Sequence, residues 1–163
     1  MLHAKIVYTR KEKIKIKKAE SFLCSSKFGA IIYFIGTVRN FNQNKKVTGI
    51  TYDSKDTMVL KSFKEIYKEA EDKLKIIKKS VFIEHVKGYV PIKEKSIIIG
   101  VACVHRNEAY KLSRYIIEQI KKRTPIWKKE HYGKKKSSWL KGISLKKWFN
   151  HLGMKQRSNF KIC

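Results

Sequence analysis

Acidic residues are scarce in this sequence: 13 Asp and Glu stand against 39 Lys and Arg, a formal net charge of +26 over 163 residues. Such a deficit points first to nucleic acid, because phosphate contacts need cations. The cations, however, are mostly lysine and are spread over nearly every segment. A dedicated nucleic-acid surface concentrates arginine, with its fork-shaped hydrogen bonding, in one patch. The charge therefore reads equally as drift toward lysine, isoleucine and asparagine, and no specific nucleic-acid partner is expected. Cysteine is also sparse. Cys24, Cys103 and Cys163 are far apart, with no C-x-x-C pair, which argues against a zinc site or a disulfide framework. Cys103 lies in an apolar run and reads as a small core residue. No apolar run approaches the roughly 20 residues that cross a membrane, so no membrane association is expected. Met1 to Lys18 lacks a secretory core and cleavage site, and a cytoplasmic location is the expectation.

What is present suffices for one domain with a proper core: 42% of the residues are hydrophobic and 12% aromatic. Residues 4–9 and 13–17 read as strands or a ragged hairpin, and 20–28 as a weak helix capped at Ser21. Gly29 to Gly36 is a continuous apolar run, the pattern of a strand buried on both faces. A loop over 42–46 leads to a strand at 47–53. From Thr57 to Lys75, Val59, Phe63, Ile66, Tyr67, Ala70 and Leu74 recur at three- and four-residue intervals, which predicts an amphipathic helix. Strands follow at 80–86, ending at Lys87-Gly88, and at 96–104. A helix capped at Asn107 carries Ala109, Leu112, Ile116 and Ile120 inward. The order predicts an α+β domain of two layers with a mixed sheet. Beyond Gly142 the pattern changes. Residues 143–163 read as a basic C-terminal extension, a short amphipathic helix (Leu145, Trp148, Phe149, Leu152) followed by a disordered tail.

Polar clusters stand directly after three apolar elements, where rigid scaffolds present chemistry. They are Thr37-Val38-Arg39-Asn40, His105-Arg106-Asn107, and the stretch Lys121 to Glu130. Pro125 cannot continue a helix and biases Thr124 away from helical geometry, so the preceding helix should end near Arg123. Lys121 then lies on the last turn and Lys128 on the extended segment beyond. Folding back could bring both amines to one pocket, with a buried Trp127 to desolvate them. Arginine would grip an anionic substrate, a phosphate ester, and lysine would move protons or supply charge. Each cluster also has a plainer reading as solvated cations or a helix cap.

The motifs Phe-Ile-Gly-Thr-Val-Arg-Asn (34–40), Val-His-Arg-Asn (104–107) and Lys-Lys-Arg-Thr-Pro-Ile-Trp-Lys-Lys-Glu (121–130) closely resemble the catalytic large subunit of molybdopterin synthase. The resemblance covers roughly residues 4–142 and takes 1–142 as the catalytic domain. It implies an α/β hammerhead fold and a homodimer that binds a small ubiquitin-like subunit at each end, a heterotetramer overall. The small subunit would carry a C-terminal Gly-Gly thiocarboxylate, and its sulfur would pass to a cyclic pyranopterin monophosphate to form the dithiolene of molybdopterin. By this likeness Lys121 and Lys128 are catalytic. Arg39, His105 and Arg106 contact substrate, while Thr37, Val38, Lys129 and Glu130 line the same site. No metal or organic cofactor is implied. Two rivals stand beside this reading: a basic nucleic-acid-binding module, and a scaffold that keeps the fold without the activity. Ile126 and Ile143 depart from the family pattern, the second where a cross-dimer arginine is usual.

Overall fold

The computed structural model describes residues 1–133 and 137–140. The segment read as a basic extension lies outside them. Among the described residues three helices and eight strands follow one another: β1 (Leu2–Tyr8), α1 (Ile16–Leu23), β2 (Ala30–Thr37), β3 (Phe41–Asn42), β4 (Lys45–Ser54), α2 (Asp56–Leu74), β5 (Lys79–Pro91), β6 (Lys95–Cys103), α3 (Arg106–Arg123), β7 (Ile126–Tyr132) and β8 (Ser137–Trp139). The sheet is mixed, in the order β2-β6-β5-β4-β7-β8, with β1 beside β5 and β3 beside β4.

The long strand β5 joins the two halves of this sheet. Its first part runs antiparallel to β6 and parallel to β1, with Val81 opposite Val101 on one side and Leu2 on the other. Its last part pairs instead with β4, from Gly88 opposite Tyr52 to Pro91 opposite Gly49. The change of partner falls at Gly88, whose φ of +116° suits only glycine, and a Cβ there would lie 2.1 Å from Thr9 Oγ1. The sequence expectation of a strand ending at Lys87-Gly88 is thus corrected. The glycine bends the strand and hands it to β4.

Helices α2 and α3 cover one face. Val59, Phe63, Ile66 and Ala70 of α2 and Ala109, Leu112 and Ile116 of α3 are fully buried against Val81, Ile83, Ile99 and Val101. Each of these side chains larger than alanine contributes about 1.5–3 kcal/mol through the area it removes from water. On the other face α1 packs Ala19 and Leu23 against Val7, Phe82, Ile98 and Ala102. The 13–17 strand is absent. Helix α1 begins at Ile16, and Ser21 is no cap but bonds back to the Lys17 carbonyl at 2.9 Å within the helix. The run at 29–36 is an edge strand paired only with β6 among the described residues. It is therefore half-buried rather than covered on both faces, and Ile31 is exposed. The loop at 42–46 is a tight hairpin in which Gln43 (φ 44°) and Asn44 (φ 59°) both adopt left-handed geometry. Finally, α3 is capped two residues earlier than expected, at His105, and without a side-chain bond.

Candidate active site

Two lysines meet where α3 turns into β7. The helix stops as its proline requires: Thr124 is extended (φ −75°, ψ 127°), its N–H still donating to the Ile120 carbonyl at 3.1 Å. Strand β7 then returns antiparallel to β4, setting Lys128 opposite Tyr52. The Lys121 ammonium lies 5.8 Å from the centre of the Phe34 ring, and the Lys128 ammonium 6.0 Å from that of Tyr52. Tyr52 is buried and meets the His85 imidazole edge-on, at 5.1 Å and 73°. His85 is also buried and its Nδ1–H donates to the Val86 carbonyl at 2.8 Å. Burial holds this imidazole neutral, its pKa falling from 6.5 to about 4.

These surroundings set the chemistry of Lys128. Much of the residue is open to solvent, yet its ammonium end lies over a buried ring. Burial first, and the charge of Lys121 second, lower its pKa, while Glu130 works the other way. Glu130 is itself engaged. It accepts from Asn42 Nδ2 at 2.9 and 3.1 Å and from the Tyr132 hydroxyl at 2.9 Å. Asn42 in turn accepts from Arg39 Nη2 at 2.8 Å through Oδ1. An exposed arginine is thereby tied through one amide to a buried carboxylate on the Lys128 face of β7. The arrangement offers one cation fixed over a ring, one amine of depressed basicity, and a guanidinium for an anion. Among the described residues no group of His, Cys, Asp and Glu could hold a metal ion.

The other residues singled out in the sequence are more dispersed. Thr37 ends β2 and is exposed. Val38 is buried in the α1-side core, and its backbone is spent on Glu94 and Lys93. Lys129 alternates to the opposite face of β7, its ammonium 5.8 Å from the Trp139 ring. Trp127 shares that opposite face. It stands across from Asp53 and is only half-buried, so Tyr52, not Trp127, is the ring beneath Lys128. His105 and Arg106 are exposed at the start of α3, whereas Lys121 is in its last turn. At 1.5 Å per residue, about 24 Å of helix separates them, and one copy of the chain does not bring them together. Conversely, Phe34, Asn42, Tyr52, His85 and Tyr132 belong to the site and were not singled out. Only Phe34 carried a signal, since it lies in the strand that delivers the Thr37 cluster.

Comparison with known proteins gives a consistent picture. The family model described as MoaE protein matches residues 9–123. A molybdopterin synthase catalytic subunit from Synechococcus elongatus is 37% identical over 136 residues, 81% of this chain and 79% of the relative. The solved structure of molybdopterin synthase from Staphylococcus aureus superposes with a TM-score of 0.76 at 30% identity, covering 83% of this chain and 95% of that one. A protein–protein complex of subunits 1 and 2 of the molybdopterin-converting factor from Helicobacter pylori matches with a TM-score of 0.66 at 26% identity, over 86% of this chain and 90% of that one.

Proposed function

From the premise that this chain belongs to the MoaE family of molybdopterin synthase catalytic subunits, we propose that it transfers sulfur to a cyclic pyranopterin monophosphate at the Lys121–Lys128 site. The donor is the thiocarboxylated Gly-Gly tail of a small ubiquitin-like subunit, a partner supported by the two-subunit Helicobacter pylori complex. The observation that carries the reading is the Lys128 ammonium set over the buried Tyr52 ring with the Lys121 cation nearby, surroundings that lower its pKa. In this reading the thiocarboxylate sulfur bonds to a pyran-ring carbon of the pterin as that carbon's bond to oxygen breaks, the oxygen leaving as water or, for the second sulfur, as the opened end of the cyclic phosphate. Water then adds to the acyl carbon, and the carbon–sulfur bond to the small subunit breaks. Lys128, its basicity lowered, takes the proton from that water when in its amine form, and the Lys121 ammonium stabilises the oxyanion that develops. Arg39, held by Asn42, grips the phosphate. The cytoplasm is the compartment that this partner and substrate imply.

Since His105 and Arg106 are a helix length from Lys121, they serve the site of the second copy in a homodimer. The experiment is sulfur transfer from thiocarboxylated small subunit to the cyclic pterin, read as dithiolene product. Lys121→Ala and Lys128→Ala should each lose most turnover with the fold intact. Near-native turnover in both variants refutes the site. An equal mixture of Lys121→Ala and Arg106→Ala chains, allowed to exchange, should recover about a quarter of wild-type turnover, because half the dimers then hold one intact site. No recovery means that both residues act within one copy.

A further inference from the structure

A cavity of about 600 Å³ opens between α1 and the β1–β5 pair, and neither Lys121 nor Lys128 lines it. That volume falls in the range of small-molecule sites. Its lining has three zones of different chemistry. Innermost is Glu84, 1% exposed, between the buried Phe82 and Val86 on one face of β5. One carboxylate oxygen meets His3 Nε2 at 3.3 Å; the other, Oε2, has no hydrogen-bond partner among the described residues. An unpaired buried carboxylate oxygen is costly, and the nearby ammonium of Lys5 is already spent on Glu12. Around it stand aromatic rings. His3 stacks on Phe82 with centroids 4.3 Å apart, and Phe22 tilts against both. The rim is cationic. Lys18 reaches Glu12 at 3.1 Å, while Lys17 is exposed and makes no ion pair among the described residues.

A ligand that satisfies all three zones has adjacent N–H donors at one end, a flat ring in the middle, and an anion at the other end. The 2-amino-4-oxopyrimidine edge shared by guanine and the pterins places two N–H donors side by side, the match for a carboxylate. Adenine alternates donor and acceptor on its pairing edge and does not fit. We propose that this cavity binds a phosphorylated 2-amino-4-oxopyrimidine heterocycle, its N–H edge on Glu84, its ring against His3 and Phe22, and its phosphate between Lys17 and Lys18. The source is a guanine nucleotide or a pterin phosphate. The site is separate from the Lys121–Lys128 pair, and it stands or falls whatever the fate of the sulfur-transfer reading.

The test is calorimetric titration of the full chain with GMP, AMP, guanosine and neopterin monophosphate, in the wild type and in Glu84→Gln. Glutamine keeps the volume but replaces an acceptor oxygen by a donor. GMP should bind the wild type and lose at least tenfold in affinity in Glu84→Gln, while AMP should not bind. A Glu84-dependent component for neopterin monophosphate as well as GMP means that the ring edge alone is read; one seen with only one of the two identifies the source. Lys17→Ala, on an exposed helix face, should weaken GMP severalfold and leave guanosine unchanged. It tests the site even if Glu84→Gln misfolds. The proposal is overturned if neither GMP nor neopterin monophosphate shows a Glu84- or Lys17-dependent component at millimolar concentration, or if AMP binds as well as GMP.

Discussion

Replacing His85 by asparagine should make the protein less sensitive to acid. Asparagine Nδ2 occupies about the place of the imidazole Nδ1 and keeps the donation to the Val86 carbonyl, but it cannot titrate. In the folded protein the imidazole pKa falls from 6.5 to about 4, so the unfolded chain binds the proton more readily across that window. The unfolded state is then favoured as pH falls from about 6.5, and the loss is complete near pH 4. At about 1.4 kcal/mol per pH unit the whole gap is worth roughly 3 kcal/mol, most of it spent by pH 4.5. Above pH 6.5 both states hold the ring neutral and nothing is lost. The variant also gives up the edge-on contact with Tyr52, a pH-independent deficit of about 1 kcal/mol. Carboxylates with lowered pKa, such as Glu69 bonded by Arg123 and Glu71 bonded by Lys79, weaken both proteins alike as they protonate. The measurement is urea unfolding at pH 7, 6, 5 and 4.5. The variant should start below the parent and lose roughly 2–3 kcal/mol less on acidification. Parallel losses would refute the reasoning, since the floor beneath Lys128 would then not be a neutral, desolvated imidazole.

Two further outcomes are expected. Substituting Lys121 by methionine removes the cation that depresses Lys128, so the pH curve for modification of Lys128 by an amine-directed reagent, read by mass spectrometry, should move to higher pH; an unmoved curve would mean that burial alone sets its basicity. Arg123→Ala breaks a bidentate pair to Glu69, with contacts of 2.7 and 2.8 Å, that ties α3 to α2, and should cost about 2–3 kcal/mol in urea unfolding, less than a fully buried pair because the Glu69 side chain is a third exposed.

Much of the scaffold is legible wherever the hydrophobic period and the local punctuation agree. Helix α2, strand β6 and the stop at Pro125 are of that kind, and the periodic residues named in the sequence are buried in the core, except Tyr67 and Leu74 at its edge, which are half-buried. Failures occur where a distant partner overrules a local signal. Gly88 reads as a strand end, but β4 takes up the next three residues as a continuing ladder. The alternating lysines before α1 read as a strand, yet the partner of β1 lies some eighty residues away in β5. The site divides in the same way. Lys121, Lys128 and Arg39 sit in local motifs. Tyr52 and His85 gain their role only from the β4–β7 and β4–β5 pairings, which no local pattern announces. Trp127 shows the converse: its neighbours in sequence suggest a role that strand alternation assigns to the other face.

The same alternation explains how a chain with 39 Lys and Arg makes one of them chemically distinct. Strand β4 presents Tyr52 to one face and Asp53 to the other. On the Asp53 side, Lys87 donates to Asp56 at 3.1 Å and lies 3.5 Å from Asp53. Burial pulls its pKa down, but these carboxylates pull it up further, and the net shift is upward. On the Tyr52 side, Lys128 meets a ring with an imidazole behind it and another cation nearby. The neighbouring carboxylate, Glu130, is engaged by Asn42 and Tyr132, and the net shift is downward. Two lysines at one sheet are thus driven in opposite directions by what stands on its two faces: Asp56 and Asp53 beside Lys87, burial and the Lys121 cation at Lys128. A slip of one residue between β4 and β7 would change the surroundings of Lys128, setting it on the acidic face and Trp127 or Lys129 over the ring. The turn at Pro125 fixes where β7 begins. The proline that ends α3 therefore acts on the basicity of an amine three residues beyond it, through register, without touching it.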